Sequence, residues 1–300
     1  MLNEYFIRGM QMAGILIVAD LEQQCFATPR GLELAAKLGV TADVVAFVHV
    51  DLSVLDVSTA QRESVQNRLL ADRQREVQSR IDRHLLPGQQ ADLKVVWEKD
   101  IHRWLNRRCA GGRYDMVIKT GNRSESLVHT STDWQLLREC PAPVLLVAKR
   151  KWHRVEPVLV ALDLASTKAA KQALNQKLLS AAKDLAQTLG VGLEIIAAIQ
   201  VPAVLAELDL VDPASYARSA MESMQPQISK LARTCGVSES AFQCKRGAAE
   251  RVVASRAAKV RAQLVVMGTV GRKGVRARLL GNTAEKVLLH LKTDVLAIKL

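Results

Sequence analysis

The sequence predicts two tandem doubly wound, Rossmann-like α/β domains, each built on a parallel sheet. Three observations carry that prediction. Strand-like and helix-like segments alternate along the chain, the strands are continuous apolar runs, and the whole pattern is written twice. A run such as Ile15-Leu16-Ile17-Val18-Ala19 is apolar at every position, so both of its faces are buried, as in a parallel sheet covered by helices. Alternation of such strands with amphipathic helices gives the doubly wound arrangement.

The duplication shows on self-comparison. The first half opens with GILIVADLEQQCFATPRGLELAAKLGVTADVVAFVHV and the second with PVLVALDLASTKAAKQALNQKLLSAAKDLAQTLGVGLEIIAAIQV. Each is a buried strand ending on an aspartate (Asp20, Asp163), a helix, a Leu-Gly-Val stop and a second buried strand. The halves close alike, with DMVIKTGN and PVLLVAK in the first and QLVVMGTVGR and DVLAIK in the second. The join is expected in the basic stretch Arg150-Lys151-Trp152-His153-Arg154, giving domains 1–152 and 153–300.

Within this frame the strands are expected at Ile15–Ala19, Val44–Val48, Val158–Leu162, Leu193–Ile199 and Leu264–Met267. Thr28 is expected to cap the first helix, with Pro29 at its first helical position. Leu174, Leu178, Ala181, Leu185 and Leu189 form one apolar stripe in the second half. Gly39 and Gly190 stand where a left-handed helix stop is wanted.

Composition bounds the function classes. Of 300 residues, 49% are hydrophobic and 24% charged, which suits a soluble globular protein with a full core. No secretory signal is read at the N-terminus, and no apolar run approaches the roughly 20 residues that span a bilayer. The five cysteines are odd in number and form no CxxC, which favours free thiols in a reducing cytoplasm over disulfides or zinc. The net charge of +12 raises the local concentration of any polyanion without choosing among them. Much of it lies on the helix-like stretch 66–84, where Arg68, Arg73, Arg75, Arg80 and Arg83 are read as a solvated face.

The stretch LVVMGTVGRKGVRARLLGNTAEKVLLHL combines three features of an anion site. Gly268, Gly271 and Gly274 follow a buried strand, where a turning chain needs positive φ or close backbone approach. Asn282 and Glu285 offer an N-cap and a capping box, and Gly281 bares the amides at that helix start. Exposed amides and the positive dipole end favour phosphate. Arg272, Lys273, Arg276 and Arg278 add charge suited to a polyphosphate. A tight turn followed by a capped helix explains the glycines equally well; the full spacing Gly268-x2-Gly271-x9-Gly281 favours a ligand. It is neither a Walker A loop nor the Rossmann GxGxxG.

With that spacing the chain resembles the universal stress protein family, whose nucleotide-binding members carry G-x2-G-x9-G-[ST] after the fourth strand of a five-stranded α/β domain. The resemblance covers essentially the whole chain as two copies and implies an adenine nucleotide alpha hydrolase-like fold. It implies that the second half binds ATP, possibly with Mg²⁺, or a related adenine nucleotide. Ala161, Leu162 and Asp163 match the position beneath the adenosine. Met267, Gly268, Val270, Gly271 and Arg272 match the wall and loop around ribose and phosphates, and Gly281, Asn282, Thr283 and Ala284 the helix start that receives the phosphates. Asn282 departs from the family's Ser or Thr. The resemblance also implies pairing of the two halves about a pseudo-twofold, protein partners and a stress-response role.

The first half keeps Asp20 but has Lys119 or Thr120 near the place of Gly268 and Thr130 at that of Gly281. It is read as a degenerate structural partner in preference to a pocket for a different ligand. The six histidines form no metal-ligand spacing, and no GxSxG elbow or cysteine nucleophile signature is present. The expectation is therefore a nucleotide-responsive binding protein rather than an enzyme. Two alternatives are a basic nucleic-acid-binding protein, weakened by the lack of interleaved aromatics, and a slow ATP hydrolase with Asp163 helping to hold Mg²⁺.

Overall fold

The computed structural model describes residues 14–22, 24–54, 56–121, 132–150, 152, 155–202, 204, 211–269 and 282–300. They fall into two compact units, the first ending at Lys149 and the second running from Arg150 to Leu300.

In the first unit the elements run β1 (Ile15–Val18), α1 (Ala27–Leu38), β2 (Ala42–Val48), α2 (Thr59–Asp82), β3 (Ala91–Trp97), α3 (Ile101–Cys109), β4 (Met116–Thr120), α4 (Thr132–Glu139) and β5 (Val144–Val147). The strands lie in the order β3-β2-β1-β4-β5, all parallel. The second unit repeats this with β6 (Val158–Leu162), α5 (Ala169–Leu189), β7 (Leu193–Ile199), α6 (Pro213–Cys235), β8 (Phe242–Arg246), α7 (Ala249–Lys259), β9 (Leu264–Gly268), α8 (Asn282–His290) and β10 (Asp294–Ile298). Its order is β8-β7-β6-β9-β10, again parallel. In both units the chain leaves the first strand to one side and returns on the other. The switch point therefore lies between β1 and β4, and between β6 and β9, and the crevice beyond their carboxyl ends is where such sheets take ligands.

Strands β1, β5 and β10 are buried along their whole length, as continuous apolar runs require. The edge strands β3 and β8 alternate or fade to exposure, with Asp92, Lys94, Lys245 and Arg246 facing water. An edge strand has one flank and part of a face unpacked, so its sequence need not be apolar. Gly39 (φ 67°) and Gly190 (φ 69°) close α1 and α5 in the left-handed region, each N–H bonding back to the last turn.

Four local expectations are corrected. Helix α1 starts at Ala27 with Phe26 as its flanking residue, so Thr28 lies inside the first turn; the Phe26 N–H bonds to Asp20 and the Ala27 N–H to Thr120. In α5 the buried stripe passes through Ala182, while Ala181 is half-buried. Of the arginines in the stretch 66–84, Arg68, Arg75 and Arg83 are exposed, but Arg73 and Arg80 are buried. Helix α8 includes Asn282 as its first residue, one position earlier than a capping Asn would place it.

Candidate functional site

The register pairs Ala161 of β6 with Met267 of β9, so these two strands end side by side. Leu162 and Met267 are buried, Ala161 is half-buried, and Asp163 emerges with its side chain about half exposed. Its carboxylate is not free: Lys171 Nζ lies 2.5 Å from Oδ2. Its main chain is held by Asn175, 2% exposed on α5. The Asp163 N–H donates to Asn175 Oδ1 at 3.1 Å, and Asn175 Nδ2 donates to the Asp163 carbonyl at 2.8 Å. A buried amide that satisfies both main-chain groups fixes the direction in which the chain leaves the strand.

Gly268 has an ordinary negative-φ backbone, so positive φ is not the reason for a glycine here. A Cβ at this position would lie 2.7 Å from Leu174 Cδ2 and 3.3 Å from Leu178 Cδ1. The close approach is thus that of helix α5 to the end of β9. The next residue, Thr269, is 1% exposed. Its N–H bonds to the Ile298 carbonyl at 3.0 Å, but among the described residues its Oγ1 is buried with no hydrogen-bond partner. On α8, Thr283 is exposed and Ala284 buried. Val270, Gly271, Arg272 and Gly281 lie outside the described residues, as do Lys273, Gly274, Arg276 and Arg278. The structure thus brings Ala161, Leu162, Asp163, Met267 and Gly268 to one strand edge.

Three residues at this edge were not singled out from sequence: Lys171, Asn175 and Thr269. Asn175 left a signal, being a polar residue directly after Leu174 in the apolar stripe. A polar group on a buried face needs a partner, and here the partner is the Asp163 main chain.

The corresponding edge of the first unit is closed by its own side chains. The registers align Ile17–Ile118 with Val160–Val266, which puts Asp20 at the place of Asp163 and Thr120 at that of Gly268. Thr120 Oγ1 donates to Asp20 Oδ2 at 2.6 Å and accepts from the Ala27 N–H at 3.0 Å. The same Asp20 oxygen accepts from the Phe26 N–H at 3.0 Å. Two buried guanidiniums hold the Asp20 carbonyl, Arg73 Nη2 at 2.6 Å and Arg80 Nη1 at 3.0 Å, and Glu76 bridges both arginines. Beside them Lys119 Nζ lies 2.8 Å from Asp133 Oδ1, with 14% and 6% of the two side chains exposed.

Among the described residues, the other titratable groups make the following contacts. Cys109, at the end of α3, is held far above the usual thiol range by a hydrogen bond with Cys140 and by burial, so it stays protonated and is a poor nucleophile. His102 bonds to Glu139 at 2.7 Å, which ties α3 to α4. His129 lies outside the described residues. Among the described residues, no three His, Cys, Asp or Glu side chains form a group that could hold a metal ion. Among them also, no helix is long and apolar enough to cross a membrane.

Comparison with known proteins agrees with this architecture. Universal stress protein E of Escherichia coli is 31% identical over 249 residues, covering 81% of this chain and 79% of that protein. The chain belongs to the universal stress protein family. Residues 155–299 match the description Universal stress protein family. A universal stress protein E homolog of Haemophilus influenzae is 28% identical over 304 residues, covering 97% of this chain and 98% of its own. Among solved structures, a functionally unknown protein of Pseudomonas aeruginosa superposes over 96% of this chain and 93% of its own, with a TM-score of 0.69 at 22% identity. At that identity the likeness speaks for the fold alone.

Proposed function

We propose that the second domain, residues 153–300, binds ATP or a related adenine nucleotide at the carboxyl ends of β6 and β9. On this reading the chain is a stress-response binding protein whose surface toward partners depends on nucleotide occupancy, and it is not an enzyme. The observation that carries the reading is the state of the switch-point crevice. Asp163 stands half exposed there, and the neighbouring Thr269 hydroxyl is buried without a partner among the described residues. A buried hydroxyl left unbonded costs about 1–3 kcal/mol, a debt that a ligand oxygen would settle. Helix α5 starts without a side-chain cap from Lys168.

Asp163 would face the ribose and adenine, Met267 would form the apolar wall, and the start of α8 with Thr283 would receive phosphate. The nucleotide would supply a polyanion whose presence or absence the protein reads. The residues fit Mg²⁺ less well, because the Asp163 carboxylate already has Lys171 as its counter-ion. Isothermal titration with ATP tests the site: the wild-type chain is expected to bind, and Gly281→Arg to abolish binding while circular dichroism shows an intact fold. Unchanged ATP affinity in Gly281→Arg would remove the site from consideration.

A further inference from the structure

The two units differ most at a pair of positions that the strand registers make equivalent. Ile118 pairs with Ile17 as Val266 pairs with Val160, so the next residues, Lys119 and Met267, correspond. Val117 pairs with Val144 as Val265 pairs with Val295. Asp133 precedes Val144 by as many residues as Ala284 precedes Val295, so Asp133 and Ala284 correspond as well. In the first unit the helix-start residue meets the end of the strand before it, as Asp133 does Lys119.

In the second unit this pair is Met267 and Ala284, both buried and uncharged. In the first it is Lys119 and Asp133, an ion pair at 2.8 Å with both side chains largely out of water. Lys119 Nζ also donates to the Thr120 carbonyl at 2.9 Å. Asp133 is the second residue of α4, where the helix dipole favours negative charge. A carboxylate there does for the helix what a bound phosphate oxygen does elsewhere.

We propose that Asp133 is a resident anion: the first unit's own carboxylate occupies the place of a ligand phosphate, with Lys119 as its built-in counter-ion. The pair excludes nucleotide from the first unit, so the chain has one phosphate-receiving site. The inference rests on the nucleotide reading of the second domain, from which the place of the anion is taken. The Thr120–Asp20–Ala27 network seals the adjoining part of the same crevice and acts in the same sense.

The test uses the full chain carrying Gly281→Arg, so that the second site is silent, with pyrophosphate as the probe and thermal unfolding as the readout. Sodium chloride of equal ionic strength is the reference. With Asp133 intact, pyrophosphate is expected to shift the midpoint no more than chloride does. Asp133→Ala removes the resident anion while Lys119 remains, and a pyrophosphate-specific rise of roughly 3–6 °C is expected at tenfold excess over the dissociation constant. Adding Lys119→Met to Asp133→Ala withdraws the counter-ion as well and should lessen that rise. A folded Asp133→Ala chain that gains nothing from pyrophosphate overturns the proposal, as does a parent chain that already responds. If Asp133→Ala does not fold, Asp133→Asn carries the same comparison. Failure of the second-domain reading shows separately, as a wild-type chain that binds no ATP.

Discussion

Thr120 and Gly268 occupy the same point on equivalent strands, and the protein uses them in opposite ways. Thr120 sends its hydroxyl between the Asp20 carboxylate and the Ala27 amide, closing the strand edge with a hydrogen-bonded bridge. Gly268 has no side chain because Leu174 already fills the space. One position thus serves a polar seal in the first unit and a tight strand–helix approach in the second.

Gly268→Ala is expected to destabilise the second domain. The added methyl would meet Leu174 Cδ2 at 2.7 Å, and relieving such a contact in a packed core costs about 1–3 kcal/mol. Leu174→Ala opens the space, so the double variant should lose less than the sum of the two single losses. Urea unfolding measures all three, and strict additivity would show that the contact is not what excludes a side chain.

Asn175→Leu keeps the volume of the side chain and deletes both bonds to Asp163. The Asp163 N–H and carbonyl then each lose a part-buried hydrogen bond, at about 0.5–1.5 kcal/mol per bond. The expected lowering of the urea midpoint is larger than for Lys171→Met. That substitution breaks an ion pair more than a third exposed at both ends, worth under about 1 kcal/mol. Equal effects from the two variants would contradict this ranking.

Thr120→Val and Asp20→Ala act on one network and are expected to be non-additive. Either change strands a part of the Asp20–Thr120–Ala27 bridge, at about 1 kcal/mol for each hydrogen bond lost. A double-mutant cycle by denaturant unfolding gives the coupling, and a value indistinguishable from zero would mean that the bridge does not form.

The amino end of the first sheet carries a group whose titration can be followed directly. The Tyr114 hydroxyl donates to Asp43, and Arg108 Nε donates to the Tyr114 oxygen at 3.0 Å. Burial, then the hydrogen bond to Asp43, push the Tyr114 phenol up to about 12. Its folded value is raised above the unfolded value of about 10, so its contribution to stability is full below pH 10 and is lost as pH rises toward 12. Ultraviolet titration of wild type against Tyr114→Phe should isolate a tyrosine ionising well above the ordinary range. Asp43→Asn should bring that titration down, and no movement would place the cause in burial alone.

Much of the fold was legible because its signals are local. Continuous apolar runs announced the buried parallel strands, and Gly39 and Gly190 announced the helix stops. Glycine takes the left-handed conformation without penalty wherever it stands in the chain. The edge strands β3 and β8 escaped, since a strand with one side in water need not be apolar. Arg73 and Arg80 were misread as solvated: nothing in a helix sequence says that the carbonyl of Asp20, just beyond β1, will lie within reach of their guanidiniums.

By itself the sequence determined the duplicated α/β scaffold, the strand-end aspartates and the glycine spacing, because propensity, hydrophobic period and turn chemistry act over a few neighbouring residues. Only the tertiary structure decided what those residues do. Asp20 became the acceptor for the Phe26 amide and the Thr120 hydroxyl while Asp163 stayed half exposed beside Lys171, and Gly268 became a packing glycine. Lys119 and Asp133 became a buried pair at a helix start. Each outcome depends on side chains that meet only after the strands align, and such encounters follow from sheet register, which no short stretch of sequence contains.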